Sequence, residues 1–208
     1  MCEKMRFIIY SSGYNCESYV KKCIDSVKNQ TYKNYTHIII DDSSTDNTNN
    51  VVKENIDEKS ILYRSEKNIG WVGNAYKFLK AEDQDIIVLL DLDDWLAHKN
   101  VLAKLNEIYS KNSCWLTYGS FIWNSHKEIE GSEYPETVVK NKEFRSSKWR
   151  AVHLQTFKFF LFKKINFEDF KQEDEWIRYS YDRGIMYPML EMCSPDKIIF
   201  IDDVLYVY

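Results

Sequence analysis

Three aspartates follow one apolar segment of the chain at close spacing. The run Ile86-Ile87-Val88-Leu89-Leu90 is followed by Asp91, Asp93 and Asp94. Carboxylates this close raise one another's pKa unless a cation lies between them. Oxygen ligands favour Mg²⁺ or Mn²⁺ over Zn²⁺, and these ions usually complete their shell with water and substrate phosphates, so the spacing predicts a divalent-metal site for a phosphorylated ligand. The alternative is a solvated acidic turn that caps the next helix.

Alternating strand-like and helix-like segments must position this cluster. The strand-like segments are 6–10, 36–40, 61–63 and 86–90, and the helix-like segments between them are 20–27, 49–55 and 71–79. This alternation predicts an α/β fold with a mainly parallel central sheet and helices on both faces. In such a sheet the ligand crevice lies outside the carboxyl ends of the strands. We therefore expect the polar loops 11–15, 41–44 and 91–94 to lie along one edge.

The second half of the chain has a less regular pattern. It suggests a helix at 101–108, a strand at 115–123, a helix at 179–192 and strands at 198–201 and 204–208. Residues 127–150 are polar and weakly periodic, which predicts a long surface loop or a mobile segment. We expect one domain over residues 1–208, with one half of about 1–96 and a second half of about 97–208. Because the chain stops inside a strand-like segment, we expect a trimmed domain of a longer protein.

Composition excludes several classes of protein. The 208 residues carry 28 Lys and Arg against 32 Asp and Glu, a net charge of −4, which argues against a nucleic-acid partner bound through a basic face. Five scattered cysteines without a C-x-x-C pair predict reduced core thiols, not disulfides or a zinc site. The apolar runs are far shorter than the roughly 20 residues of a membrane span, so we expect no transmembrane segment and a cytoplasmic location.

Five groups of motifs stand in order in the first half of the chain. They are Ile8-Ile9 with Tyr14-Asn15, then Ser26-Val27-Lys28-Asn29-Gln30-Thr31-Tyr32, then Ile40-Asp41-Asp42-Ser43-Ser44-Thr45-Asp46, then Asn68-Ile69-Gly70 with Asn74, and last Leu90-Asp91-Leu92-Asp93-Asp94. As a set they resemble the family-2 nucleotide-sugar glycosyltransferases, which are inverting enzymes of the GT-A fold. The resemblance implies a GT-A fold and transfer of a sugar from a nucleotide-sugar, with UDP-sugar as the first choice of donor, to an acceptor hydroxyl.

The same resemblance implies roles for individual residues. Ser12 and Asp42 would contact the nucleoside, with Asp42 at the base. Asp91 and Asp93 would hold the ribose and diphosphate region, and Asp93 or Asp94 would bind the metal, Mn²⁺ or Mg²⁺. The motifs identify neither the donor sugar nor the acceptor, which could be a glycan, a lipid or a protein.

Inverting transfer needs one general base that takes the proton from the acceptor hydroxyl. Asp182 opens a predicted helix and is our first choice. Glu173-Asp174 matches the family's acidic pair more literally, but it lies in the charged run 171–175, which is typical of a solvated face.

Other functions on a similar sheet lack their motifs. The chain has no G-x-G-x-x-G for a dinucleotide, and Gly13 stands alone where a nucleotidyltransferase would have a glycine-rich loop. A non-catalytic sugar-nucleotide or carbohydrate-binding module of a multidomain protein remains the alternative, because it would bind the same ligand without turnover.

Overall fold

The computed structural model describes residues 4–208, which form eleven strands and seven α-helices. The strands are β1 (Phe7–Gly13), β2 (Tyr35–Asp41), β3 (Ser60–Arg64), β4 (Ile86–Leu89), β5 (Trp95–Leu96), β6 (Leu116–Ile122), β7 (Ile129–Glu130), β8 (Thr156–Lys158), β9 (Lys171–Gln172), β10 (Glu175–Trp176) and β11 (Ile198–Val207). The helices are α1 (Val20–Lys28), α2 (Thr48–Asn55), α3 (Gly70–Phe78), α4 (Val101–Asn112), α5 (Glu136–Asn141), α6 (Phe159–Lys163) and α7 (Tyr181–Met192).

Nine of these strands form one sheet in the order β3-β2-β1-β4-β8-β6-β11-β5, with β7 paired to β6. The strands β3, β2, β1 and β4 are mutually parallel. β8 is antiparallel to both β4 and β6, and β11 is parallel to β6, so six strands run in one direction. The predicted α/β fold with a mainly parallel central sheet is confirmed.

Apolar residues on both faces of this sheet pack against helices. Because side chains alternate along a strand, Ile8 and Tyr10 of β1 face the layer that contains α3 and α7. Phe7 and Ile9 face the opposite layer, which contains α1, α2 and α4. Burial on both faces accounts for the nearly continuous apolar character of β1 and β4.

The segment 127–150 lies largely at the surface, as predicted, but the prediction of a loop without secondary structure is wrong. It contains β7 and α5, and the side chains of Tyr134 and Phe144 are buried in the core. The backbone amide of Tyr134 also donates to the hydroxyl of Tyr118 at 2.9 Å. Two buried aromatic rings therefore attach this polar, weakly periodic segment to the core.

Four of the five cysteines lie in the described part of the chain. Cys16, Cys23, Cys114 and Cys193 are buried free thiols, as predicted. The prediction for Cys2 lies outside the described residues. Between residues 4 and 208, every helix is too short or too polar to cross a bilayer.

His37 in β2 makes stability depend on pH. It is 1% exposed, its Nε2 lies 2.9 Å from the Ser11 hydroxyl, and burial lowers its pKa to about 3. An unfolded histidine titrates near 6.5, so between that pH and about 3 the unfolded chain binds the extra proton. We expect His37 to make its full contribution to the free energy of unfolding above pH 6.5. As pH falls through this window, the free energy of unfolding should decrease by up to about 1.4 kcal/mol per pH unit.

Urea unfolding at several pH values between 7 and 4 measures this effect. His37→Asn should show a shallower fall in the free energy of unfolding than wild type, whereas His98→Asn, at an exposed histidine, should keep the wild-type slope. Equal slopes for His37→Asn and wild type would contradict the prediction.

Candidate functional site

A cleft of about 610 Å³ opens at the carboxyl ends of β1, β2 and β4. This volume is within the usual range for a small-molecule site. The loops that follow these three strands lie along one edge, as the parallel topology predicts. The residues that line the cleft include Ser12, Asp42, Asp91, Asp93 and Asp94, together with Trp123, Arg178, Tyr181 and Tyr208 from the second half of the chain.

The three aspartates after β4 have different surroundings. Asp91 is half-buried, and its Oδ2 accepts a hydrogen bond from the Tyr181 hydroxyl at 2.7 Å. Asp94 is buried, and its Oδ2 accepts one from the Tyr206 hydroxyl at 2.5 Å. Asp93 between them is exposed. Both tyrosines come from the second half of the chain, and sequence reasoning did not find them.

Burial makes the negative charge of this cluster costly. Burial, with a smaller contribution from the charge of Asp93, raises the pKa of Asp91 to about 7 and that of Asp94 to about 8, although the hydrogen bonds from the two tyrosines lower both. Within the described part of the chain, no Lys or Arg forms an ion pair with any of the three. A bound cation would supply the missing positive charge.

The carboxylates fit a metal site that a ligand completes, and not a site in which protein side chains supply every metal ligand. Among residues 4–208, no group of three His, Cys, Asp or Glu side chains is arranged to hold a metal ion by itself. Mg²⁺ and Mn²⁺ commonly bind through one or two carboxylates together with substrate phosphates. Asp93 and Asp94 therefore fit such an ion when a diphosphate completes its ligand shell.

Asp42 holds the start of α3 at the edge of the cleft. It is buried, and its two carboxylate oxygens accept hydrogen bonds from the backbone amides of Ile69 and Gly70, each at 2.9 Å. Gly70 has a φ of 76°, which favours glycine at this turn. The sequence predicted Asp42 as a contact to the base. The structure adds that its carboxylate anchors the N-x-G motif, while each oxygen keeps a further lone pair.

Removal of the Asp42 carboxylate should therefore destabilise the fold. Asp42→Ala leaves two amide protons without their acceptor, and we expect a loss of about 2 kcal/mol or more in the free energy of unfolding. Asp42→Asn keeps one acceptor oxygen and should lose about half as much. Urea unfolding measures both, with Asp83→Ala as the control at an exposed carboxylate before β4. Equal stability of Asp42→Ala and Asp83→Ala would contradict this role.

Ser12 lies in a buried chain of polar side chains beside the cleft. Its hydroxyl accepts from Asn74 Nδ2 at 3.1 Å, and Asn74 Oδ1 accepts from the Ser65 hydroxyl at 2.6 Å. These bonds connect the end of β1 to α3 and to the residue after β3. Ser12 therefore positions α3 in addition to lining the cleft.

The two candidate bases occupy different environments. Asp182 is half-buried in the first turn of α7, and its charge is among those that raise the pKa of Asp91. Glu173 and Asp174 form the exposed two-residue turn between β9 and β10, with φ values of 52° and 66°. Two positive φ values are typical of a tight hairpin turn. Asp182 thus lies within electrostatic reach of the acidic cluster, whereas Glu173 and Asp174 make a turn.

Comparison with known proteins places the fold in a family. The family model described as Glycosyl transferase family 2 matches residues 12–170, more than three quarters of the chain. The chain belongs to glycosyl transferase family 2. The predicted family and the predicted glycosyltransferase class are thereby confirmed. Both candidate bases lie beyond the matched residues.

Individual relatives agree with this assignment. The chain is 26% identical over 211 residues to the glycosyltransferase GlyA of Streptococcus pneumoniae, a match over 94% of this chain and 29% of GlyA. It is 32% identical over 136 residues to the Escherichia coli protein named UDP-Glc:alpha-D-GlcNAc-diphosphoundecaprenol beta-1,3-glucosyltransferase WfgD, over 64% of this chain and 53% of WfgD. The matched part is about half the length of WfgD and less than a third of GlyA.

Solved structures of the same fold extend over nearly the whole chain. The crystal structure of S. aureus TarS 1-349 superimposes with a TM-score of 0.72 at 16% identity, and covers 98% of this chain and 60% of the TarS chain. At this identity the likeness concerns the fold alone. The predicted GT-A fold is confirmed.

Proposed function

We propose that this chain transfers a sugar from a nucleotide-sugar donor to an acceptor hydroxyl, with inversion at the anomeric carbon and with dependence on a divalent cation. One observation carries the proposal. The cleft at the carboxyl edge of a family 2 fold brings together Ser12, Asp42 and the three carboxylates that follow β4. Polar loops and carboxylates at this edge support the binding of a nucleoside diphosphate together with a cation.

Related proteins support the choice of donor and metal. TarS has been solved with UDP-GlcNAc and with UDP. A mannosyltransferase of Pyrobaculum calidifontis has been solved with GDP-Man and Mn²⁺, and glucosyl-3-phosphoglycerate synthase of Mycobacterium tuberculosis with Mn²⁺ and UDP. WfgD is named as a UDP-Glc transferase. We therefore propose a UDP-sugar donor and Mn²⁺ or Mg²⁺, held by Asp93 and Asp94.

The proposed chemistry is divided between residues that line the cleft and Asp182, which follows the lining residue Tyr181. Ser12 and Asp42 position the nucleoside, and Asp91 and Asp93 the ribose and diphosphate region. Asp182 accepts the proton of the acceptor hydroxyl while that oxygen bonds to the anomeric carbon and the bond from this carbon to the diphosphate oxygen breaks. A cation, when bound, offsets the negative charge that develops on the departing nucleoside diphosphate. A single displacement of this kind inverts the anomeric configuration.

The acceptor, the two halves of the domain and the cellular location are also proposals. The acceptor is a hydroxyl of a glycan, a lipid or a protein. Residues 1–96 form the nucleotide-binding half and residues 97–208 the acceptor-side half of one domain. Four buried thiols support a reducing, cytoplasmic location.

Hydrolysis of a panel of nucleotide-sugars without acceptor tests the proposal. With Mn²⁺ present, we expect slow release of nucleoside diphosphate from one UDP-sugar. EDTA should stop the release and added Mn²⁺ should restore it. Tight binding of a nucleotide-sugar with no release, even with a mixture of candidate acceptors, would favour the non-catalytic binding module. Absence of any binding would contradict the proposed function as a whole.

A further inference from the structure

The hydroxyl of Tyr206 lies between the first and last aspartates of the cluster. The backbone amide of Asp91 donates to this oxygen at 3.3 Å, and the oxygen lies 2.5 Å from Asp94 Oδ2. An amide can only donate, so the hydroxyl accepts there and gives its single proton to Asp94. One phenol therefore joins the backbone at Asp91 to the carboxylate of Asp94.

The sheet fixes the position of this phenol. Tyr206 in β11 pairs with Leu96 in β5, two residues after Asp94, and the pairing is antiparallel. Its ring is fully buried and stacks on the ring of His153 with centroids 4.4 Å apart and planes at 10°. Strand pairing of the backbone and stacking of the ring together fix the position of the hydroxyl.

Asp94 needs such a partner more than Asp93 does. Asp93 is exposed and can reorient in water, whereas Asp94 is buried and lines the cleft with a carboxylate that burial penalises. A hydrogen bond to Oδ2 fixes the rotation of the carboxylate and leaves Oδ1 as the oxygen available to another ligand. Partners that orient a metal-binding carboxylate in this way strengthen the metal site.

We propose that Tyr206 is a positioning residue for the cation site, in which its hydroxyl orients the Asp94 carboxylate. This inference rests on the proposed function, because it assumes that Asp94 binds a divalent cation together with the donor diphosphate. Tyr206 itself touches neither the cation nor the reacting atoms.

The affinity for Mn²⁺ in the presence of saturating UDP tests this role without any measurement of activity. Titration of Mn²⁺, followed through the electron paramagnetic resonance signal of the free ion, gives the Kd directly. Tyr206→Phe keeps the ring and its stacking and should raise the Kd for Mn²⁺ by about 10- to 100-fold. Tyr109→Phe is the matched control, because it removes a buried hydroxyl that bonds to Thr156 at 2.8 Å, away from the cleft. It should change the Kd by less than twofold.

A double-mutant cycle separates orientation of Asp94 from a general loss of structure. If Tyr206 acts through Asp94, Tyr206→Phe should have little further effect on the Kd in an Asp94→Asn background. Additive effects of the two substitutions would overturn the inference, as would a Tyr206→Phe Kd within twofold of wild type. Urea unfolding identifies any variant that does not fold. Should Tyr206→Phe be one, Tyr206→Leu, which also lacks the hydroxyl and is smaller than the buried ring, takes its place in the cycle.

The outcome for wild type distinguishes this inference from the proposed function. Wild type that binds Mn²⁺ with UDP while Asp93→Ala does not supports the proposed metal site, whatever Tyr206→Phe does. Wild type that binds no Mn²⁺ in the presence of UDP contradicts the metal dependence of the proposed function, and the role of Tyr206 is overturned with it.

Discussion

Replacement of Asp182 by asparagine should lower the rate of sugar transfer by about 10²- to 10⁴-fold, the usual contribution of a general base. Asparagine has nearly the same shape as aspartate but cannot take up the acceptor proton. Asp182 is half-buried in the first turn of α7 and outside the lining of the cleft, so UDP binding should stay within about twofold of wild type. Steady-state transfer rates and the Kd for UDP with Mn²⁺ measure the two effects separately.

Asp174→Asn is the matched control for this substitution. It makes the same chemical change in the exposed turn between β9 and β10, where asparagine tolerates the observed φ of 66°. We expect transfer within about twofold of wild type. A large loss in Asp174→Asn with normal rates in Asp182→Asn would reverse the assignment of the base and favour the acidic pair that resembles the family's motif.

Asp93→Ala should abolish most of the metal-dependent activity. Lewis-acid stabilisation by a bound cation contributes several kcal/mol, so we expect a loss of transfer of about 10²- to 10³-fold or more. Asp93 is exposed, and in the described chain its carboxylate has no resolved hydrogen bond or ion pair. The free energy of unfolding should therefore stay within about 0.5 kcal/mol of wild type.

Mn²⁺-dependent transfer and urea unfolding measured on the same preparations check this pair of expectations. Asp83→Ala also removes an exposed carboxylate, which lies before β4 and pairs with Lys163 at the surface; it should leave activity unchanged and lower the free energy of unfolding by no more than about 1 kcal/mol. If Asp93→Ala keeps full activity and the same response to Mn²⁺, the cation is held by other groups and the proposed role of Asp93 is wrong.

The cleft edge was predictable from the sequence because it depends on local patterns. Apolar runs fix the parallel strands β1, β2 and β4, and the rule that ligands bind at the carboxyl ends of such strands then brings their loops together. The acidic cluster and Asp42 could therefore be placed along one edge without coordinates. The division of their roles could not, because burial and hydrogen-bond partners set it.

The hydroxyls that bind the cluster were not predictable in the same way. Tyr181 is 90 residues from Asp91, and Tyr206 is 112 residues from Asp94. Their contacts depend on the place of α7 and on β11 lying beside β5, which no local pattern specifies. The hydrogen bonds of Asp42 did have a signal in the sequence. Asn68-Ile69-Gly70 opens α3, and the start of a helix offers free backbone amides to a carboxylate.

The pairing of β5 with β11 has a consequence for the nascent chain during synthesis on the ribosome. Ribosomes add about 5–20 residues per second, so Tyr206 is joined to the chain roughly 6 to 22 s after Asp94. During that interval the backbone edge of β5 has no strand to pair with, and the carboxylate of Asp94 has no phenol beside it. The acidic cluster is thus synthesised near the middle of the 208 residues and completed only when β11 has been made. A ribosome-bound fragment that ends before β11 would carry all three aspartates and still lack the finished site.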